Sequence, residues 1–228
     1  MTGEQYGESF TKINPSSFVP VLEDGYLRLI ESSAILKCLA QISSSASYPT
    51  DPQAKAQVNE VMNRFNTNFY RTFSYGLVYP QVLDHVKLPD EGANKLLVAA
   101  ARPRRSGFFR TLNDHLLEQG SPWLCGETMT IADYLASGIF SLGEVIGCTF
   151  SAYPNVASWY ERIKALPNWQ SPMQGSTNGQ NSCRAPNNWR YNPATRKERR
   201  VCGHKPHMTV PAFLLSLNFT LHYIPVPG

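Results

Sequence analysis

Long apolar runs are missing from this 228-residue chain. The strongest candidate, residues 212–224, spans 13 positions and carries Asn218 and His222 inside it, too short to cross a membrane as a helix. Paired Cys-x-x-Cys arms are missing too. The five cysteines stand at 38, 125, 148, 183 and 202, which argues for reduced thiols over a disulfide framework and leaves Cys183, Cys202, His204 and His207 without the spacing of a zinc site; no metal is expected. Residues 1–10 are polar and lack the apolar stretch of a secretory signal, so a cytoplasmic protein with no membrane association is expected. Charged residues make up only 17% of the chain, and the pI of 8.8 belongs to one end of it. From Gly175 onward there are seven basic residues against one acidic. Before it stand 14 basic and 16 acidic (21 less 7, and 17 less 1). The main part of the chain therefore lacks the basic surface of a nucleic-acid partner.

What is present is enough apolar residue, 42%, for a substantial core in one or two domains. The most informative stretch is residues 14–39. Residues 19–23 and 26–30 are rich in β-formers and flank Asp24-Gly25, a pair suited to a two-residue turn, so they predict an antiparallel hairpin. Glu31-Ser32-Ser33 then supplies polar capping groups ahead of the helical stripe Ala34, Ile35, Leu36 and Leu39. A strand thus feeds directly into a helix N-terminus. Such an end can be a plain cap, or it can hold a carboxylate or phosphate on its unpaired N–H groups with the help of a Ser hydroxyl.

Asn14-Pro15, Val19-Pro20-Val21-Leu22, Asp24-Gly25 and Glu31-Ser32-Ser33-Ala34-Ile35, in this order and spacing, resemble the end of the thioredoxin-like domain of cytosolic glutathione transferases, of theta-like or bacterial type. The resemblance implies a cis peptide bond before Pro20, pairing of the Val19 backbone with the cysteinyl part of glutathione, and a Glu31-Ser32 pair holding the γ-glutamyl end. Val19, Pro20, Glu31 and Ser32 are the expected glutathione-binding residues. Phe18 departs from the family, where a polar side chain often reaches the glycyl carboxylate. The family's domain begins with a strand, a helix and a strand, and its catalytic Tyr, Ser or Cys lies at or just after the first strand. Only residues 1–17 precede this hairpin, so that unit is expected to be missing and the catalytic residue is unknown. Tyr6 and Ser9 have suitable chemistry but stand at no strand end.

Residues 43–49 form a Ser-rich connection, and Asp51-Pro52 opens a helix with a cap and a first-position proline. Ala54, Val58, Val61, Met62, Phe65 and Phe69 recur on one face. In theta-like relatives the end of this helix looks on to the electrophile pocket, which makes Phe65, Phe69 and Phe73 candidates to line one, with core packing as the competing role. Arg71 could meet an anionic group or stay solvated. A second helical pattern runs from Asp90-Glu91 to about residue 118, with Leu96, Leu97, Ala100, Phe108, Phe109, Leu112 and Leu116 as its apolar set and a kink or break predicted at Pro103. Thr130 and Asp133 have capping-box spacing, which assigns Asp133 to structure and not to catalysis. The family carries a similar box in its helical domain. Val156, Trp159, Ile163 and Leu166 mark a last amphipathic helix, and residues 175–203 have a disordered composition.

The expected fold is therefore mainly α. It comprises a partial thioredoxin-like α/β subdomain at 1–42, a linker at 43–50, an all-helical glutathione-transferase C-terminal domain at 51–174 and a disordered basic tail at 175–228. The resemblance implies a detoxification enzyme that conjugates the thiolate of glutathione, its co-substrate, to a small hydrophobic electrophile, as a possible homodimer. The competing expectations are a non-catalytic transferase-like interaction module or a truncated isoform.

Overall fold

In the computed structural model of the chain, residues 4–118, 121–167 and 169 are described. The tail at 175–228, with Cys183, Cys202, His204 and His207, lies outside the described residues, as does the end of the expected helical domain.

A 3-10 turn at Glu4–Tyr6 and the short helix α1 (Glu8–Thr11) lead into a loop held by Asn14. The buried Asn14 side chain donates from Nδ2 to the Phe18 carbonyl at 2.8 Å and accepts the Ser16 N–H at 3.0 Å. Strands β1 (Leu22–Asp24) and β2 (Leu27–Leu29) pair antiparallel, with Leu22 opposite Leu29, Glu23 opposite Arg28 and Asp24 opposite Leu27. The turn is Gly25-Tyr26, one residue later than the sequence suggested. Gly25 takes φ +60° at the first central position, which a side chain would resist and which matches the twist of the strands. Arg28 anchors the hairpin: it pairs with Glu23 at 2.8 Å and donates to the Ile13 carbonyl at 2.7 Å.

Helix α2 (Ser32–Ile42) buries Ile35, Leu36 and Ala40 and packs on α6 (Ile131–Ser141). Helix α3 (Pro52–Arg64) starts on the Asp51 cap, whose carboxylate accepts the Ala54 N–H at 2.8 Å. Beyond Arg64 the same helix widens into π turns at Phe65–Phe69 and Arg71–Val78 before closing as α4 (Tyr79–Val82). The widened part brings Phe65, Phe69, Phe73 and Leu77 to one buried face.

Helix α5 (Glu91–Thr111) runs unbroken through Pro103, so it does not split into the two shorter helices that a break would have made. Pro103 is on the exposed side, and the carbonyl it deprives of a partner belongs to exposed Ala99, where water can replace the lost bond. The buried face also differs from the expected one in the first half of α5: Leu96 is 71% exposed, Ala100 is exposed and Ala101 is buried. A final π turn, Leu112–Leu116, completes this arm.

The centre of the core is aromatic. Phe69 stacks on Phe73 (4.8 Å between ring centroids) and Phe108 (4.3 Å), and meets Phe109 edge-on at 5.3 Å. Phe140 on α6 joins this group to Trp159 on α7 (Pro154–Lys164), with centroids 5.0 Å apart. Removal of a ring so enclosed typically costs about 3–5 kcal/mol. The start of α7 is capped from a distance, since the Asn113 side-chain oxygen accepts the Asn155 N–H at 2.9 Å. Among the described residues no helix is long and apolar enough to cross a membrane, and no group of His, Cys, Asp and Glu has the geometry to hold a metal.

Candidate functional site

The Asn14–Phe18 and Asn14–Ser16 bonds and the Arg28–Ile13 bond hold the loop that delivers Val19 and Pro20 ahead of β1. The Val19-Pro20 peptide bond is cis. No hydrogen bond among the described residues uses the Val19 N–H or carbonyl, so its backbone is available for pairing with a ligand. After β2 the chain enters α2 with Glu31 in extended conformation at the N-cap (φ −105°, ψ 122°). Its carbonyl accepts the Ile35 N–H at 2.9 Å. The polar side chains expected to cap this end do not do so: no side chain caps it. The first-turn N–H groups of Ser32, Ser33 and Ala34 are therefore left for a ligand or solvent, with the positive end of the helix behind them. Glu31 is exposed and Ser32 half-buried.

The three rings put forward for an electrophile pocket lie elsewhere. Phe65, Phe69 and Phe73 are each fully buried, at 0% exposure, within the core. They share a helical face, and that face meets α5 and α6. The open side of the same helix, which the sequence pattern had not marked, forms a groove of ≈ 380 Å³ against α5, lined by Glu60, Asn63, Arg64, Thr67 and Asn68 with the half-buried ring of Phe108. Its polar groups are partly engaged, Arg64 with Glu60 at 3.1 Å and the Thr67 hydroxyl with the Asn63 carbonyl at 2.8 Å. Neither this groove nor a second cavity beside the 43–50 connection is lined by Val19, Pro20, Glu31 or Ser32.

Several hydroxyls and thiols of the helical part are set against nucleophilic use. Burial pushes the Cys125 thiol up to about 11 and also raises Cys148, which the Arg105 guanidinium pulls partly back. Both stay protonated near neutrality. Burial raises the Tyr70 phenol to about 12, and Tyr79, bonded to it oxygen to oxygen at 2.9 Å, is raised further. Asp133 is likewise occupied. One oxygen accepts the Leu124 N–H and Trp159 Nε1–H, both at 2.9 Å, and the other accepts the Thr130 N–H at 2.8 Å and the Thr130 hydroxyl at 3.1 Å. Thr130 in turn caps α6 through the Ala132 N–H. Only the Thr130 half of this arrangement is readable from local spacing; Leu124 and Trp159 reach the carboxylate through the fold.

Residues 79–167 match the sequence model of the glutathione S-transferase C-terminal domain. The fold is similar to a delta-class glutathione transferase of Nilaparvata lugens, with 30% identity over 72% of this chain and 73% of that one and a TM-score of 0.56. The chain belongs to the glutathione transferase family. Within the family it is also similar to human glutathione transferase theta-2, solved with glutathione and an unknown ligand, at 28% identity over 72% of this chain and 67% of that one, with a TM-score of 0.63. A glutathione S-transferase from Xanthobacter autotrophicus Py2 shares the fold at 24% identity, a TM-score of 0.63 and coverage of 78% and 84%.

Proposed function

We propose that this family member binds glutathione at the junction of β1, β2 and α2 and presents its thiolate to a small hydrophobic electrophile. The observations that carry the reading are the uncapped N-terminus of α2 and a Val19 backbone that makes no hydrogen bond among the described residues. In this arrangement the γ-glutamyl carboxylate meets the Ser32 hydroxyl and first-turn N–H groups, its ammonium meets the Glu31 carboxylate, and the cysteinyl amide pairs with Val19. Charge-assisted contacts of this kind contribute about 1.5–3 kcal/mol each.

In conjugation the thiolate sulfur forms a bond to the electrophilic carbon while the leaving group departs with the bonding pair. We assign the electrophile to the α3–α5 groove, with Phe108 as its apolar floor, in place of Phe65, Phe69 and Phe73. Residues 1–42 act as the glutathione-binding subdomain, 43–50 as the linker and 51–174 as the helical domain; the enzyme is read as a cytoplasmic homodimer.

The test is retention of the full chain on immobilised glutathione, followed by a conjugation assay. Retention that free glutathione reverses and that Ser32→Ala weakens is the expected result, and passage without retention refutes the cradle. Retention without turnover would keep the cradle and remove the enzymatic reading in favour of an interaction module.

A further inference from the structure

Strand β2 leaves one edge of the β1–β2 hairpin open. Across a two-residue turn, Asp24–Leu27 and Leu22–Leu29 are the hydrogen-bonded pairs, so the backbone N–H and C=O groups of Glu23 and Arg28 point outward, one residue on each edge. Beyond the hairpin's own ladder, no backbone hydrogen bond among the described residues uses Arg28 or Ile30. Apolar surface is uncovered on the same stretch: Leu27 is 36% exposed, Ile30 is 38% exposed, and Tyr26 in the turn is fully exposed. Among the described residues the sheet has these two strands alone. Such a sheet is marginal in water by itself, and its open edge is a template for a further strand.

The chain carries a stretch to match. Residues 215–223, which lie outside the described ones, read Leu-Ser-Leu-Asn-Phe-Thr-Leu-His-Tyr, in strict alternation of apolar and polar side chains. That is the pattern of a strand with one apolar face, here Leu215, Leu217, Phe219, Leu221 and Tyr223. The hairpin divides the same way, with Leu22, Leu27 and Leu29 on one face and the Glu23–Arg28 pair on the other. Charge selects this segment over a second copy of β2. A second β2 would bring another Arg28 to a short edge, whereas residues 206–228 hold no Lys, Arg, Asp or Glu. Reach is ample. From residue 169 to residue 215 there are 46 positions (215 less 169), at most about 150–165 Å when extended, against a radius of gyration of about 15 Å for a folded unit the size of residues 4–169. The β1 edge is the poorer acceptor of a strand, since it runs into Pro20, which has no N–H, and into Val19 of the proposed glutathione cradle.

We propose that residues 215–223 dock on the outer edge of β2 as a third strand, their backbone pairing with Arg28 and Ile30 and their apolar face continuing that of Leu22, Leu27 and Leu29. The sheet thereby closes its exposed edge with the chain's own apolar end. Val19 stays available to glutathione.

The test is amide hydrogen exchange, read by NMR on the full chain. The Arg28 N–H is expected to exchange about tenfold or more slower in wild type than in the double variant Asn218→Pro/Phe219→Pro, whose adjacent prolines remove a donor from each side of the added strand. Phe219→Asp, which keeps the backbone donors and charges the apolar face, lowers the protection as well, and Phe219→Leu keeps it. Circular dichroism separates loss of the strand from loss of the fold, and deletion of residues 206–228 serves where a substitution alters helix content. Equal exchange of Arg28 in wild type and in the proline variant overturns the proposal. So does protection that rises with protein concentration, which would come from a neighbouring molecule, and so does protection lost in saturating glutathione, which would put the strand on the β1 edge.

Discussion

Asp133→Ala tests the physical account of the helical core most directly. The carboxylate is fully buried and accepts four hydrogen bonds, two of them tying the segment at Leu124 and the α7 indole of Trp159 to the start of α6. Truncation to Ala leaves the Leu124 N–H and the Trp159 Nε1–H buried without an acceptor, at about 1–3 kcal/mol each, and removes half of a capping box, about 1 kcal/mol more. The sum, on the order of 3–7 kcal/mol, is a large part of the 5–15 kcal/mol that typically holds a domain together. At roughly 2–4 °C per kcal/mol for a chain of this size, the thermal midpoint should fall by about 10 °C or more. Asp133→Asn keeps one oxygen for Leu124 and Trp159 and costs less.

The same pair of variants carries a pH signature. Burial raises the Asp133 carboxyl above its usual value even though all four bonds pull it down. A carboxyl raised in the folded state favours its protonated form there, so its contribution is fully present below the ordinary aspartate value and is lost as pH rises through the folded one. The stability of wild type relative to Asp133→Asn should therefore shrink as pH rises across that window. Circular dichroism melts at several pH values measure both effects. A midpoint for Asp133→Ala within about 3 °C of wild type would refute the assignment of Asp133 as the junction of α6, α7 and the 124 segment.

Other outcomes follow from the same structure. The Tyr70 phenol, buried and raised from 10.0 to about 12, and the still higher Tyr79 and Tyr160 resist ionisation in the folded state. Stability should be intact below pH 10 and fall as pH climbs toward 12, with phenolate absorbance appearing alongside loss of helix; full titration of all 11 tyrosines near pH 10 with helicity retained would contradict this. Gly143→Ala would place a Cβ 2.8 Å from Cζ of the fully buried Phe73 and 3.1 Å from the Cys148 Cβ. Overpacking of that kind costs about 1–3 kcal/mol, and denaturant titration showing no change in midpoint would count against the packing described. Ser32→Ala should weaken glutathione binding about tenfold with an unchanged thermal midpoint, read by calorimetry.

Local chemistry alone determined a good deal of this protein. The β1–β2 hairpin, the Asp51 and Asp90 caps and the Thr130–Asp133 box are all interactions between residues a few positions apart, so the chain order contains both partners. The four proposed glutathione residues in the stretch at 14–39 came instead from its resemblance to the family. Tertiary structure decided which face of each helix meets what. Periodicity groups Phe65, Phe69 and Phe73 on one side without saying whether a core or a pocket lies opposite, and α5 and α6 close over that side. It also placed Leu96 outside and Ala101 inside, let Pro103 stand in an intact helix, and sent Trp159 and Leu124 to Asp133. The burial of Ala101 and the reach of Trp159 to Asp133 depend on partners distant in sequence, and a pattern with a period of a few residues holds no record of one.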